Sequence, residues 1–320
     1  MSAQTTWGTV ATPLRMAYLN PFHLIHGVPG SFGSRIATPR KTEAILSLDI
    51  ASHLLEDTAG AEQVYIFGET HRLGLSIRSG LAERWECFID VSAVAHHSGY
   101  FDGFIEDWHK AFGLPRDIRG RAPRGLLLFY ADETSTRINI RQDTTSFGDA
   151  SIGIGYAVPV SSLPNDGLAL RASLKLPTGD DDSLAGSGGF AASLWAETSG
   201  VLPWAREERR WLYAATLGVL GAQTPKILPH LGSRMAVFAR FGITWRPFDR
   251  LTLTTQLDAH TSPYSGAAVV PLADMAVIVG MGGALNISEH ATLEVAVMED
   301  DGSRRAGPDV GFHAALRWNF

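Results

Sequence analysis

One short run of the chain has the residue types of a hydrolytic site. His96-His97-Ser98 places an imidazole two residues before a hydroxyl, so His96 and Ser98 would share one face of an extended strand. An imidazole in that position can take the serine proton, and a third polar side chain can orient it; Glu106 or Asp102 could fill that role. His96, His97 and Asp102 lack a recognisable metal-ligand spacing, so neither a metal site nor a cofactor is predicted.

A second group of residues with chemical potential consists of charged side chains that alternate with apolar ones. Alternation puts them on one face of each strand, opposite the apolar face. In a barrel too wide to be filled by side chains alone, that face lines a lumen, where charges can pair or line a track for a polar solute. Four arginines between residues 200 and 250 could form either an anion-attracting wall or ion pairs with neighbouring strands. The predicted lumen-lining residues are Asp49, Arg72, Arg78, Glu86, Asp90, Arg171, Lys175, Glu197, Arg210, Arg234, Arg240, Arg246, Asp258, Glu294 and Arg317.

The elements that position these residues are predicted to be long strands. The alternating segments run for about 9 to 13 residues, longer than in soluble sheets and suited to a tilted strand crossing a bilayer. Long and short connections alternate, as in outer-membrane barrels. Residues 124–132 and 135–142 are less regular and are interpreted as a hairpin. The sequence therefore predicts an all-β, transmembrane, antiparallel up-and-down β-barrel of about 14 strands, with about 12 as the other count. The alternative is a soluble β-sandwich or lipocalin-like barrel.

The last segment, 310–320, favours a membrane barrel over a soluble one. Phe312, Trp318 and Phe320 lie on its apolar face, and an aromatic end suits a membrane interface. The segment resembles the last strand of bacterial outer-membrane barrels, which ends in Phe and is read by the assembly machinery. The resemblance implies that machinery, outer-membrane lipid and lipopolysaccharide as partners, and a Gram-negative outer membrane with both termini periplasmic. Residues 1–6 show no signal peptide, which is expected to have been removed.

The chain divides at residue 41. Residues 1–41 precede the first strand, are rich in Pro and Gly, and carry apolar clusters that must pack on something. They are interpreted as a periplasmic tether or as a plug in the lumen, followed by the barrel over 42–320. A single cysteine, Cys87, excludes an internal disulfide, and no nucleic-acid motif is present.

The longest predicted outer loop contains a helical pattern. Its apolar residues recur at helical spacing, and Gly113 and Pro115 would end the helix. We predict a short amphipathic extracellular helix that acts as a lid or gate, or that lies on the outer leaflet. Its apolar face comprises Phe101, Phe104, Ile105, Trp108 and Phe112.

Several motifs carry resemblances. Asp102-Gly-Phe-Ile-Glu-Asp-Trp-His109, Phe112-Gly-Leu-Pro115, Asn20-Pro21 and His26-Gly27 together resemble a family of bacterial outer-membrane barrels of unassigned function, which implies fold and location but no activity. Leu176-Pro-Thr-Gly-Asp180 resembles a strand-end motif of barrels thought to take up hydrophobic compounds. His96-x-Ser98 is similar to the His-x-Ser pair that outer-membrane phospholipases and lipid A deacylases use. Gly99 stands here in place of the Asn that follows the Ser in the phospholipases.

The preferred interpretation is an outer-membrane channel or uptake pore that lets small solutes diffuse passively. One alternative is a lipid-modifying esterase or deacylase that uses His96 and Ser98 at the outer rim. Another is a non-conducting structural or assembly barrel.

Overall fold

Twelve antiparallel strands close into one barrel, because the first strand pairs with the last. The computed structural model describes residues 12–100, 125–159, 167–205, 210–233, 235–300 and 306–320. In ring order the wall strands are β1 (Thr42–Ala59), β2 (Glu62–Ala82), β3 (Trp85–His97), β7 (Ser151–Ala157), β8 (Gly167–Lys175), β9 (Ala191–Val201), β10 (Trp211–Ala222), β12 (Ala236–Phe248), β13 (Leu251–His260), β15 (Ala276–Asn286), β16 (Ala291–Asp300) and β17 (Val310–Asn319).

The remaining described elements are short. They are β4 (Leu127–Ala131), β5 (Thr136–Ile140), β6 (Thr144–Phe147), β11 (Gly232–Ser233), β14 (Tyr264–Ser265), the helices α1 (Pro21–Leu24) and α2 (Val270–Ala273), and a 3-10 turn at Pro203–Ala205. Within the described ranges, no helix is long and apolar enough to cross a membrane.

Strand alternation separates a lipid-type outer face from a polar inner face. On β1, Leu46 and Leu48 are 48% and 41% exposed, whereas the intervening Ser47 and the next residue, Asp49, are buried. Leu48 lies beside Leu73 on β2, and Asp49 lies beside Arg72, as the period of two requires. Apolar side chains outside and polar side chains inside are the arrangement of a membrane barrel. The predicted fold class is confirmed.

The count of about 14 strands included one hairpin that lies outside the wall. β4 pairs with Gln63–Phe67 of β2, and β5 pairs with β4. That part of β2 lies beyond the barrel, because β2 pairs with β3 only as far as Glu69. Buried and more exposed residues alternate in this hairpin because only one of its faces packs over the mouth of the barrel.

The two ends of the barrel differ. The end that carries Thr42 and Asn319, here called the terminal end, includes the short links 83–84 and 249–250. The opposite end, here called the loop end, carries the longer connections 176–190, 223–235 and 261–275. This asymmetry is typical of outer-membrane barrels.

Residues 12–41, here called the inner segment, lie inside the ring of strands. The backbone amide and carbonyl of Leu14 both hydrogen-bond the Gln256 side chain on β13. The Asn20 side chain donates to the carbonyls of Pro271 and Ala306 at the loop end. Asn20 also caps α1, accepting from the Phe22 amide, with Pro21 at the first helical position. The segment turns there: residues 12–20 form its ascending limb, and residues 25–41 form its descending limb. Pro39 of the descending limb bridges Gly80 near the terminal end.

The largest apolar cluster lies at the loop end. Phe22 and Ile25 of the inner segment are buried there against the β4–β5 hairpin and the long connections. This loop-end cluster also contains Leu55, Val64, Ile66, Leu126, Leu128, Tyr130, Ile138, Leu184, Leu228, Leu231, Tyr264, Val269 and Leu272. The cluster covers the mouth of the barrel at that end.

Candidate functional site

Charged side chains at the terminal end of the lumen are paired with one another. Glu43 accepts from Arg78 Nε at 2.8 Å and from Arg317 Nη1 at 2.9 Å. Arg78 also lies 3.6 Å from Glu86. A buried charge without a partner would be strongly destabilising, so these pairs stabilise the polar inner face.

A second group lies at mid-height on the same inner face, on β2, β1, β17 and β16. His313 contacts Asp49 through Nδ1 at 2.6 Å and Glu294 through Nε2 at 3.0 Å. Arg72 lies 3.7 Å from Asp49, with 22% of its side chain exposed. The Arg15 amide of the inner segment donates to Glu294 at 2.9 Å. The ascending limb of the segment is thus bound to the same acids that pair with the wall.

Arg171 and Glu197 hold the descending limb. Arg171 Nε donates to Glu86 at 2.7 Å, and its Nη1 donates to Glu197 and, at 2.6 Å, to the Gly33 carbonyl. Glu197 accepts from the Ser31 hydroxyl and from the Phe32 amide at 3.2 Å. Each of these wall charges therefore has a partner on the segment as well as on a strand.

The Phe32 ring lies among three guanidinium groups. Its centroid is 4.0 Å from Arg15 Cζ, 5.1 Å from Arg78 Cζ and 5.5 Å from Arg171 Cζ. Cations over an aromatic face are attracted by its quadrupole. The ring thus connects the two limbs of the segment to β2 and β8.

Histidines surround α1 at the loop end. His23 Nδ1 lies 3.4 Å from His260 Nε2, and the His26 ring packs edge-on against Tyr264. Burial, reinforced by the charge of Lys175, lowers the pKa of His26 to about 3. Burial also lowers the pKa of His23 well below its ordinary value. Both rings are therefore neutral at ordinary pH, and the packing of α1 depends on their staying neutral.

A cavity of about 90 Å³ remains between the inner segment and one side of the wall. It is bounded by the segment and by β2, β3, β7 and β8. Its polar lining includes Arg72, Asp90, Ser92, Ser151, Ser173 and Lys175. The arrangement can hold water or a small polar solute inside the barrel.

The four arginines of the 200–250 region that were predicted to face inward do not form a wall among the described residues. Arg240 is buried and pairs with Asp258 at 3.1 Å. Arg210 is exposed before β10 and donates to the Pro247 carbonyl. Arg246 is half-buried at an irregularity of β12 between Trp245 and Phe248. Arg234 lies outside the described residues. The strand pattern fails at Arg210 because the strand begins one residue later.

The His96–Ser98 pair is not brought together. The His96 ring is buried and its Nδ1 lies 3.1 Å from Thr70 Oγ1. Ser98 is exposed beyond the end of β3, and its amide donates to Asp143 at 3.2 Å. Alternation stops where β3 ends at His97, so the two side chains do not share a face.

Other predicted residues fall as follows. Glu106 and the loop helix (Phe101, Phe104, Ile105, Trp108, Phe112) lie outside the described residues. Trp318 and Phe320 are exposed on the outer face, and Phe312 is half-buried beside Ile50. In the described part of the chain no cluster of three or more His, Cys, Asp or Glu side chains could hold a metal ion.

Sequence reasoning missed the contacts made by Arg15, Ser31 and Phe32, and the roles of Glu43 and Asp149. Arg15 to Phe32 precede the first strand, so no alternation assigns them to a face. Glu43 lies on the same face of β1 as Ser47 and Asp49, opposite Leu46 and Leu48, and this parity was a usable signal. Asp149 binds Lys175 from the link before β7.

Comparison with one solved structure shows the same fold. The COG4313 outer membrane channel from Pseudomonas putida F1 has a TM-score of 0.58 at 11% identity, covering 92% of this chain and 99% of that one. The KdgM porin has a TM-score of 0.44 at 7% identity, with 87% and 99% covered. The CymD monoaromatic hydrocarbon channel has a TM-score of 0.40 at 10% identity, with 97% and 98% covered. No curated protein matches the sequence. One family model, described as "Protein of unknown function (DUF3187)", matches residues 1–320.

Proposed function

We propose that this chain, which belongs to that family of proteins of unknown function, is a passive channel for small solutes in the outer membrane of a Gram-negative bacterium. The observation that carries the proposal is the polar cavity that runs beside the inner segment within a membrane-type barrel. Interiors that serve stability alone are close-packed and mostly apolar. This interior instead holds paired charges, hydroxyl groups and space for water. The fold shared with the COG4313 outer membrane channel is consistent with such a role.

The orientation follows from the two ends of the barrel. Short links belong on the periplasmic side of outer-membrane barrels, so in this proposal the terminal end, where β1 begins and β17 ends, faces the periplasm. The Phe320 amide donates to the Thr42 carbonyl, which places the last aromatic residue at the seam between β1 and β17. That exposed aromatic end is the feature through which the assembly machinery would bind the last strand. The loop end would then meet lipopolysaccharide.

In this proposal the inner segment regulates passage. Its two limbs occupy much of the lumen, and α1 supports the loop-end cluster that covers the mouth. Passage of a solute larger than water therefore requires the segment or the cap to move. At mid-height the segment is bound by hydrogen bonds and ion pairs as well as by apolar packing of Leu14, Met16 and Phe32 on the wall. The polar contacts can be exchanged for water when the segment moves.

Conductance of the purified protein in planar bilayers tests the function. We compare the full chain with a variant that lacks residues 2–41, after heat-modifiable gel migration has shown that both barrels are folded. Steps with the full chain support a channel, and larger or more frequent steps with the deletion support a regulating segment. Silence from both folded proteins refutes the channel.

A non-conducting structural barrel is the second candidate, and the loop-end cluster is the observation that favours it. In that case the deletion should lower the stability of the barrel without opening it. Thermal unfolding of the same two proteins, measured beside conductance, separates the two candidates.

A further inference from the structure

Arg72 differs from the other cations that border the lumenal cavity. Arg15 donates to Asp90 at 2.5 Å, to Ser76 at 2.8 Å and to the Ser31 carbonyl at 3.2 Å. Lys175 binds Asp149, the Ser187 hydroxyl at 2.7 Å and the Gly189 carbonyl at 3.0 Å. Both cations are therefore already occupied by fixed acceptors of the protein.

Arg72 makes one contact with an acceptor of the described protein, and that contact is long. Its Nη1 lies 3.7 Å from Asp49, and among the described residues it has no hydrogen bond. Asp49 is itself bound more closely by His313 at 2.6 Å. A guanidinium offers five N–H donors in a planar fork. Arg72 therefore presents donors to the cavity that the described protein does not use.

The backbone gives that guanidinium its place. Gly74 lies two residues along β2 on the same inward face, and a Cβ there would be 2.6 Å from Arg72 Nη1. The missing side chain lets the guanidinium lie along the wall. It remains accessible to water, since 22% of the Arg72 side chain is exposed. Arg171, whose side chain is 0% exposed, has no such access.

Three hydroxyl groups complete the lining. Ser92 on β3, Ser151 on β7 and Ser173 on β8 border the same cavity, and none of their side chains hydrogen-bonds another described residue. A hydroxyl can both donate and accept. A buried polar surface with several unused groups requires water or a solute as its partner.

The size of the cavity limits that solute. A cavity of about 90 Å³ holds several water molecules, since one water needs about 10 to 15 Å³ of such space. A carboxylate with one or two further heavy atoms fits this volume. A guanidinium fork matches a carboxylate through two parallel hydrogen bonds.

We propose that the cavity is a binding site for small hydroxycarboxylate anions, with the carboxylate on Arg72 and the solute hydroxyl on Ser92, Ser151 or Ser173. This rests on the proposed channel function and names its solute class. The fixed charges on either side, Arg15 with Asp90 and Lys175 with Asp149, are neutral pairs, so the site distinguishes solutes through Arg72.

Glycolate is the probe, and its binding to the full chain in detergent is followed by NMR line broadening. The wild type should bind glycolate and should not bind glycolamide, which has the same shape without the charge. Arg72→Gln should weaken glycolate binding by about tenfold or more, because a charge-assisted bidentate contact is lost. Arg72→Lys keeps the charge but not the fork, and should weaken binding by less.

The matched control is Arg137→Gln, which removes an arginine paired with Asp132 outside the barrel. This variant should bind glycolate as the wild type does. Ser173→Ala is a second, milder variant that tests the site if Arg72→Gln fails to fold. Equal binding by wild type and folded Arg72→Gln, or equal binding of glycolate and glycolamide, overturns the proposal.

Bilayer conductance separates this proposal from the function on which it rests. If the protein conducts but does not bind glycolate, the channel function stands and the proposed solute class is wrong. A protein that binds glycolate through Arg72 but never conducts retains the site, and then the passive-channel function is wrong.

Discussion

Glu197 is the acid on which the inner segment depends most, and Glu197→Gln tests this directly. The carboxylate accepts from the Ser31 hydroxyl, from the Phe32 amide at 3.2 Å and from the Gly33 amide at 3.4 Å, and it also binds Arg171. Glutamine keeps the shape of the side chain and removes the charge. The change should therefore loosen the segment without leaving a cavity in the wall.

The magnitude follows from the hydrogen bonds. A bond to a charged group contributes about 1.5 to 3 kcal/mol and a neutral one about 0.5 to 1.5. Converting the Ser31 and Phe32 bonds from charged to neutral costs about 1 kcal/mol each, whereas the contact with Arg171 joins two wall strands and weakens in both states. A total of about 2 kcal/mol lowers the ratio of docked to undocked segment roughly thirtyfold.

Spin-label mobility measures that ratio without depending on conduction. A nitroxide is attached at Val28→Cys on the descending limb, in a background where Cys87→Ser removes the other thiol. Glu197→Gln should increase the mobile component of the spectrum strongly. In bilayers it should increase the open fraction if the segment regulates passage.

Glu43→Gln is the matched control. Glu43 is also a buried lumenal acid with two arginine partners, but those partners, Arg78 and Arg317, both lie on wall strands. It should lower barrel stability while leaving Val28 mobility close to that of the wild type. If Glu197→Gln and Glu43→Gln give the same label mobility, Glu197 does not hold the segment and the reasoning is refuted.

Three further outcomes are expected. Leu48→Arg, on the lipid-facing side of β1, should destabilise the barrel by about 2 to 4 kcal/mol in urea titrations in liposomes, and a cost near zero would argue against a lipid-facing Leu48. The folded pKa of His26 is depressed, so its contribution to docking is full above its ordinary pKa of about 6.5 and is lost as pH falls towards about 3. Val28 mobility should therefore rise on acidification, and a flat profile from pH 7 to pH 4 would contradict this. Ser98→Ala should show the same background level of lipid hydrolysis as the wild type. A clear loss of hydrolysis in the variant would support the esterase alternative.

The wall was predictable from sequence because a lipid-exposed strand must alternate. Leu46, Leu48 and the inward Asp49 could be assigned to their faces from period alone. The same rule fails where lipid is absent. Glu56 and Asp57 break the alternation of apolar residues, yet β1 continues to Ala59, because a strand outside the membrane needs no apolar outer face.

The partners of the lumenal charges could not be predicted. Parity places Arg171 and Glu197 on the inner face, but their neighbours depend on how strands are staggered around the ring. The inner segment was harder still, since Ser31 and Phe32 belong to no periodic element. Their positions are fixed by acceptors from strands more than a hundred residues away, such as Glu197.

The position of α1 has a consequence for recognition at the far side of the barrel. Asn20 donates to the carbonyls of Pro271 and Ala306, and Tyr264 donates its hydroxyl to the Phe22 carbonyl. The shape of these loop-end connections, which are distant in sequence, thus depends on one short peptide that reaches them through the lumen. In the proposed orientation, antibodies or phage that bind the loop end would recognise an epitope whose shape is set from inside the barrel. A molecule that displaced the inner segment from the terminal end would alter that antigenic face without touching it.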